Sequence, residues 1–497
     1  MNRIDNDLLS VQEARILVEN AREAQKVLAA FSQEKLDKIV GHMAGAVCKH
    51  ARELAVMSCE ETGFGKWQDK FIKNVFASDF LYKNIKDMKV VGIVSEDTEK
   101  KTMDIGVPVG VIAALPPSTN PASTTIYKAL IAIKSGNAIV FSPHPKAKRT
   151  ITKALEILIR AAEESGMPSG AIGYLRTLTI DGTTALMNHK DTSLILITGV
   201  PKLVRAAYSS GKPTIYGGPG NGPVFIERSA DLKQAAADII ASRTFDNGIV
   251  SASEQAIVAE ECIADEIRRE LRDNGAYFMS EQESEQLGRL FFCPDGSINP
   301  EIVGRTALEL ARRSGLCVPQ ETKVLISEQT YVSSTNSYSR EKLCPVLAFY
   351  VEKDWLNACE KCLELLINEG MGHTLVIHSN NENVIREFAL KKPVSRVLVN
   401  TPATLGGIGA TTNLFPALTL GCGAAGGGFT SDNVSPLNLI NIRKVGHGVR
   451  KLEDITDGVL KREAAEIGGD ISSAVQNSVN GTHDLIELLE RLLEQLK

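Results

Sequence analysis

At 497 residues, 43% of them hydrophobic and 23% charged, the chain is long enough for two or more cores and shows no collagenous, disordered or disulfide-scaffold bias. A net charge of -5 leaves no whole-chain footprint for nucleic acid or an anionic membrane, while still allowing a local basic cleft for a phosphorylated cofactor. The nine cysteines are odd in number and scattered, which argues against a disulfide framework, and no apolar run approaches the ~18 residues of a membrane span, so a cytoplasmic protein acting on small molecules is expected.

Between residues 12 and 50, Ile16, Leu17, Val27, Leu28 and Phe31, then Leu36, Ile39, Val40, Met43 and Val47, recur at helical spacing and predict two amphipathic helices. After Met103 the pattern changes to short β-branched runs at 109–115, 138–142, 171–175, 194–198 and 224–226, separated by helical segments at 119–134, 146–165, 183–189 and 201–210. Such alternation predicts βαβ units and a parallel sheet, which binds ligands beyond the carboxyl ends of its strands. A second series, with strands at 257–259, 324–326, 346–351, 374–378 and 396–400, predicts another α/β domain. Its C-x-x-C, Cys359 and Cys362, falls within an amphipathic helical run at 355–367 and reads as packing. The glycine-dense stretches 405–409 and 421–428 read as shaped loops, because glycine loses the most backbone entropy in regular structure. A polar linker, 468–482, leads to Leu485, Ile486, Leu488, Leu489, Leu492, Leu493 and Leu496 on one helical face, with Thr482 placed to cap it. A helix of that length is marginal alone in water, so its leucine stripe needs a partner.

Four stretches carry chemistry. The segment Phe245-Asp246-Asn247-Gly248-Ile249-Val250-Ser251-Ala252-Ser253-Glu254-Gln255 lies ahead of the strand run at 257–259. Gly110-Val111-Ile112-Ala113-Ala114-Leu115-Pro116-Pro117-Ser118-Thr119-Asn120-Pro121 is a strand entering a Pro-rich turn. Ile197-Thr198-Gly199-Val200-Pro201 is a strand-to-helix turn without G-x-G-x-x-G, and Glu341 stands four residues before Pro345. Through these motifs, over roughly residues 11–449, the chain resembles the CoA-acylating aldehyde dehydrogenases of the bacterial-microcompartment type, with Ser251 where that family has its nucleophilic cysteine.

The resemblance implies an α/β chain of the aldehyde dehydrogenase fold: a Rossmann-like nucleotide-binding domain at 1–95 and 108–227, and an α/β catalytic domain at 228–425. A small β oligomerisation element at 96–107 and 426–450 and a terminal segment at 451–497 complete it. It implies NAD and coenzyme A as cofactors, a short aldehyde such as acetaldehyde or propionaldehyde as substrate, and an acyl-enzyme thioester. Catalytic roles pass to position 251, to Asn120 as an oxyanion donor and to His373. Cofactor contacts pass to Thr119, to Ser142, Pro143, His144 and Lys146 where the adenosine is held, to Thr198, Gly199, Val200, Gly217 and Gly218, and to Glu341 on the nicotinamide ribose. Hydrolytic relatives carry a glutamate before a Gly-Gly pair to activate water. The corresponding run here, Ile215-Tyr216-Gly217-Gly218-Pro219-Gly220-Asn221, has no carboxylate, and a thiol needs none. A homodimer or dimer of dimers is implied; the terminal helix docks either on its own or a neighbouring subunit or, as the resemblance implies, on a microcompartment shell protein. An alcohol is far less acidic than a thiol and needs a base beside it; lacking both that acidity and a neighbouring base, Ser251 is expected to leave an inactivated variant.

Overall fold

Asp5 opens the first helix by accepting from Asp7 N and Leu8 N, and Asn6–Leu28 then buries Ala14, Val18, Ala21 and Leu28 at helical spacing. Ser32 caps the second, Gln33–Lys49, which buries Leu36, Ile39, Val40, Met43 and Val47. These are the two helices the spacing predicts. In this computed structural model the described residues are 5–466 together with positions 486, 489–491 and 494. The linker 468–482 and most of the leucine-striped terminal segment lie outside them.

The strands in chain order are β1 (Gly92–Asp97), β2 (Thr102–Pro108), β3 (Val111–Leu115), β4 (Ala138–Phe141), β5 (Ile172–Tyr174), β6 (Thr192–Thr198), β7 (Thr214–Gly217), β8 (Pro223–Ile226), β9 (Ala256–Glu260), β10 (Ala276–Met279), β11 (Val324–Glu328), β12 (Val346–Glu352), β13 (Gly372–His378), β14 (Val394–Val399) and β15 (Ile440–Gly446). A five-stranded parallel sheet runs β5-β4-β3-β6-β7, and a seven-stranded parallel sheet runs β10-β11-β12-β9-β8-β13-β14. Both are buried on two faces, so their strands read as continuous apolar runs. In the smaller sheet the chain winds outward from β3 one way and from β6 the other. The turns after these two adjacent strands therefore open a crevice at the topological switch point. Beneath it, Lys128 of the fully buried Pro121–Lys134 helix donates to Leu115 O at 2.9 Å and Leu196 O at 2.8 Å, tying the ends of β3 and β6 together.

One strand changes partners. The run at 224–226, which the pattern joins to the first series and to a domain ending at 227, pairs with β9 and β13 in the second sheet. A run of apolar residues specifies a strand, and only the surrounding packing chooses its neighbours. Two strands, β7 and β10, were not among the predicted runs. The sequences Thr-Ile-Tyr-Gly and Ala-Tyr-Phe-Met are four residues each, too short for alternation to register.

By contact density the chain divides into Met1–Val94 with Ile105–Arg443, which holds both parallel sheets, and Ser95–Asp104 with Lys444–Lys497. Strands β1, β2 and β15, which overlap the element expected at 96–107 and 426–450, form a three-stranded sheet in the order β1-β2-β15. In the smaller unit Lys444 Nζ meets Asp104 Oδ2 at 2.7 Å, and a helix, Leu452–Glu466, precedes the stretch 468–482. Among the described residues no helix is long and apolar enough to cross a membrane.

Candidate active site

The helix Leu232–Thr244 ends in a turn whose three residues Asp246, Asn247 and Gly248 all have positive φ, at 48°, 53° and 73°. Left-handed backbone is costly for residues with a Cβ, and Asp and Asn bear it best. Tertiary bonds hold the turn: Asp246 N donates to Asp69 Oδ2 at 2.7 Å and Asn247 Nδ2 to Gly304 O at 2.8 Å. Beyond Ser251 the chain is pinned again. The Arg243 guanidinium donates to Ser253 Oγ at 2.6 Å and to Gln255 Oε1 at 2.9 Å, and Glu254 Oε1 accepts from Ala403 N at 2.9 Å. Half-buried Ser251 thus sits on a short loop fixed at both ends, ahead of β9.

His373, near the start of β13, reaches this loop. Its Nε2 lies 3.1 Å from Ser251 Oγ, and its Nδ1 lies 2.9 Å from the hydroxyl of Thr374. Ser251 therefore has an imidazole beside it that the segment alone does not show, because β13 delivers it from 122 residues away. The base is weak. Burial, then the nearby Arg396 cation, pushes the imidazole down to about 3, so it is neutral at physiological pH. Arg396 spends every guanidinium N–H on the protein: Nε on Thr374 Oγ1, Nη1 on Ser431 O and Asn433 Oδ1, Nη2 on His373 O and Gly421 O. The Gly421–Gly428 loop is wrapped around this assembly; Gly372 touches Cys422, and Gly217 bridges to Gly421.

The depressed imidazole is also a stability term. Its folded value lies below the ordinary 6.5, so the unfolded chain takes the proton first and stability falls as pH drops from 6.5 toward 3. The contribution present above pH 6.5 is on the order of 5 kcal/mol. Thermal melts between pH 7 and 4 are expected to show a steeper fall in Tm for the parent than for His373→Gln; parallel curves would contradict a buried neutral His373.

Asn120 precedes the Pro121–Lys134 helix but makes no side-chain capping bond there. Its Oδ1 instead accepts from Lys73 Nζ, and the same ammonium reaches Asp246 Oδ2. Lys70 Nζ meets Asp246 Oδ2 at 2.9 Å and Thr119 O at 2.8 Å. The turn after β3 and the loop carrying Ser251 are thus joined through two buried lysines on the helix Trp67–Val75, which widens into a π turn at Phe76–Phe80. Such π turns recur at functional sites.

The remaining expected positions fall in three places. Thr198, Gly199 and Val200 form the turn after β6, beside the Asn120 turn; a Cβ on Gly199 would lie 3.1 Å from Pro117. Val200 holds φ 57°, strain that a β-branched residue accepts at a cost of roughly 1–3 kcal/mol and that marks a built turn. It leads into the helix Pro201–Ser209. Ser142, Pro143, His144 and Lys146 follow β4. Ser142 is buried with its hydroxyl 2.8 Å from Thr183 Oγ1, His144 Nδ1 accepts from Lys146 N at 3.1 Å, and exposed Lys146 lies over the Phe64 ring at 4.0 Å. Glu341 is buried, and its Oε1 accepts from Gly220 N at 3.0 Å. Burial, then the Glu369 carboxylate, pushes it up to about 8. Gly217 and Gly218 are buried against Thr419, Leu420 and Cys422. Among the described residues no group of three or more His, Cys, Asp or Glu is placed to hold a metal.

Residues 7–285 match the model of the aldehyde dehydrogenase family. The chain belongs to that family. It is 42% identical over 441 residues to the bifunctional aldehyde-alcohol dehydrogenase AdhE of Escherichia coli K12, covering 88% of this chain and 49% of that protein, so it spans about half the length of this relative. An acetylating aldehyde dehydrogenase from Geobacillus thermoglucosidasius superposes with a TM-score of 0.88 at 47% identity, covering 90% of this chain and 99% of that one. A propionaldehyde dehydrogenase of Rhodopseudomonas palustris, solved with bound CoA and an acylated cysteine, gives 0.78 at 26% identity, covering 87% and 97%. The family match and the structural likeness establish the aldehyde dehydrogenase fold, and the homologues are acylating members.

Proposed function

We propose that this chain is a CoA-acylating aldehyde dehydrogenase scaffold acting on a short uncharged aldehyde with NAD and coenzyme A, in which residue 251 is the acyl-carrying station and Ser251 holds it inactive. The observation that carries this reading is the 3.1 Å contact between His373 Nε2 and Ser251 Oγ. The Thr374 hydroxyl accepts from Arg396 Nε and so has its own proton to give to His373 Nδ1. With Nδ1 accepting, Nε2 carries the N–H and points it at the 251 atom. A donor there stabilises a thiolate and does nothing to deprotonate an alcohol.

The switch-point crevice fits a dinucleotide. The half-exposed turn Thr198, Gly199 and Val200 leads into a nine-residue helix whose N-terminal N–H groups suit a pyrophosphate, and Thr119 stands on the adjoining turn. NAD, when bound, supplies the hydride acceptor, and coenzyme A the thiol that takes the acyl group. On the protein side, Asn120 donates to the developing oxyanion, His373 steadies residue 251, and Glu341 stands one hydrogen bond behind Gly220 for the nicotinamide ribose. Arg396 has no donor left for an anionic substrate, which favours acetaldehyde or propionaldehyde.

A Ser251→Cys enzyme incubated with aldehyde, NAD and coenzyme A is expected to yield acyl-CoA, with little free acid when coenzyme A is withheld. Among the described residues the one carboxylate bonded to the Gly217–Asn221 run is Glu341, and at about 8 it is largely protonated at pH 7, a poor water activator. Free acid as the main product would overturn the acylating reading and make Glu341 the first residue to test. We also assign the leucine-faced terminal segment to docking inside a microcompartment; truncation after Gly468 should abolish co-sedimentation with shells and spare the kinetics.

A further inference from the structure

We propose that Lys73 is a positioning residue that holds Asn120 with its NH2 group, rather than its oxygen, facing the reacting carbonyl; this rests on the reading of residue 251 as the acyl station. An ammonium has three donors and no acceptor, so the amide atom it touches must be Oδ1. That contact fixes which way round the amide stands. The two amide N–H bonds are left with one long contact, 3.4 Å to Thr119 Oγ1, and are free for an oxyanion.

The anchoring is built from buried groups. Lys73 is 1% exposed and Asp246 0%. Asp246 Oδ2 takes both lysines, while its Oδ1 accepts from Lys66 N at 2.7 Å. Lys70 grips the backbone of Thr119 as Lys73 grips the side chain of Asn120. Gly65 is required beside them: it has φ +71°, and a Cβ there would lie 1.8 Å from Asp246 Oδ1. An aspartate five residues before the acyl station therefore sets, through Lys73, the orientation of the amide that serves it.

The cation has a second consequence. Burial pulls Lys73 down to about 8, against the opposing pull of Asp246. Facing it are Lys70 and Asp69 on its own helix, Cys59 on the Ala51–Thr62 helix, and Asp246 and the Phe245 ring on the nucleophile loop. As pH rises through about 8 the ammonium loses its proton, the amide loses its anchor, and turnover falls.

The test uses the Ser251→Cys enzyme as parent. Lys73→Met is expected to lower kcat about 100-fold with the aldehyde KM within about threefold. Alkylation of the thiol by iodoacetamide, which forms no oxyanion, should keep its rate. Lys73→Arg, which retains a cation at all accessible pH, should recover most of kcat and lose the alkaline fall near 8. The proposal is overturned if Lys73→Met keeps its kcat, if alkylation falls in step with kcat, or if Lys73→Arg, folded by its melting curve, retains the alkaline limb. A parent that forms no NADH overturns the acyl-station reading itself.

Discussion

Ser251→Cys is expected to raise NADH formation from aldehyde and coenzyme A by ~10³-fold or more over the parent, the scale on which enzymes lose turnover when a nucleophile is removed. The reason lies in proton affinities. A cysteine titrates near about 8.5, so a substantial fraction is thiolate at pH 8 without help from any residue. His373, at about 3, is too weak to take the proton in either case. Transfer from a thiol to it is uphill by about 7 kcal/mol, and from an alcohol by far more. The thiol escapes the difficulty by exchanging its proton with water, after which the imidazole N–H steadies the anion; the alcohol has no such route. Ser251→Ala should accordingly match the serine form. A cysteine enzyme no faster than the serine form would remove position 251 from the chemistry, whatever the family resemblance.

How far the site could be read beforehand depended on where each partner lies along the chain. Ser251, Asn120 and Glu341 belong to local motifs, and each lies within a few residues of a strand that the apolar pattern locates. His373 was placed in the candidate site, but its contact with Ser251 exists only because β8 and β13 pair in the same sheet as β9, and strand neighbours are not encoded in strand composition. Lys70 and Lys73 were missed for a related reason. In Trp67-Gln68-Asp69-Lys70-Phe71-Ile72-Lys73-Asn74 the charges read as a solvated helix face, and their burial follows from an aspartate 173 residues away. The cue that was present is Asp246 itself, a lone charge in the otherwise uncharged run from Phe245 to Ser253. Arg396 likewise looks like a surface cation until its five acceptors are seen.

Gly220→Ala, introduced into the Ser251→Cys enzyme, is expected to cut kcat by about 100-fold or more while leaving a folded but weakened protein. A Cβ on residue 220 would lie 1.8 Å from Ser251 O and 2.7 Å from its carbonyl carbon, with His373 Nδ1 at 3.4 Å. The atoms it strikes are backbone, so no side-chain rotation relieves the contact. The loop carrying residue 251 must instead move outward, although Arg243, Glu254 and Asp246 hold its ends. Overpacking of this kind costs about 1–3 kcal/mol of stability, which a melting curve reads directly. The larger effect is catalytic, because a displacement of about an ångström separates residue 251 from both His373 and the Asn120 amide, and misplacement on that scale costs about two orders of magnitude. The same methyl group would press on the N–H that Glu341 accepts, so weakened NAD binding should accompany the fall in kcat. An alanine enzyme with the parent's kcat and Tm would mean that residue 251 does not lie against Gly220 in the working protein.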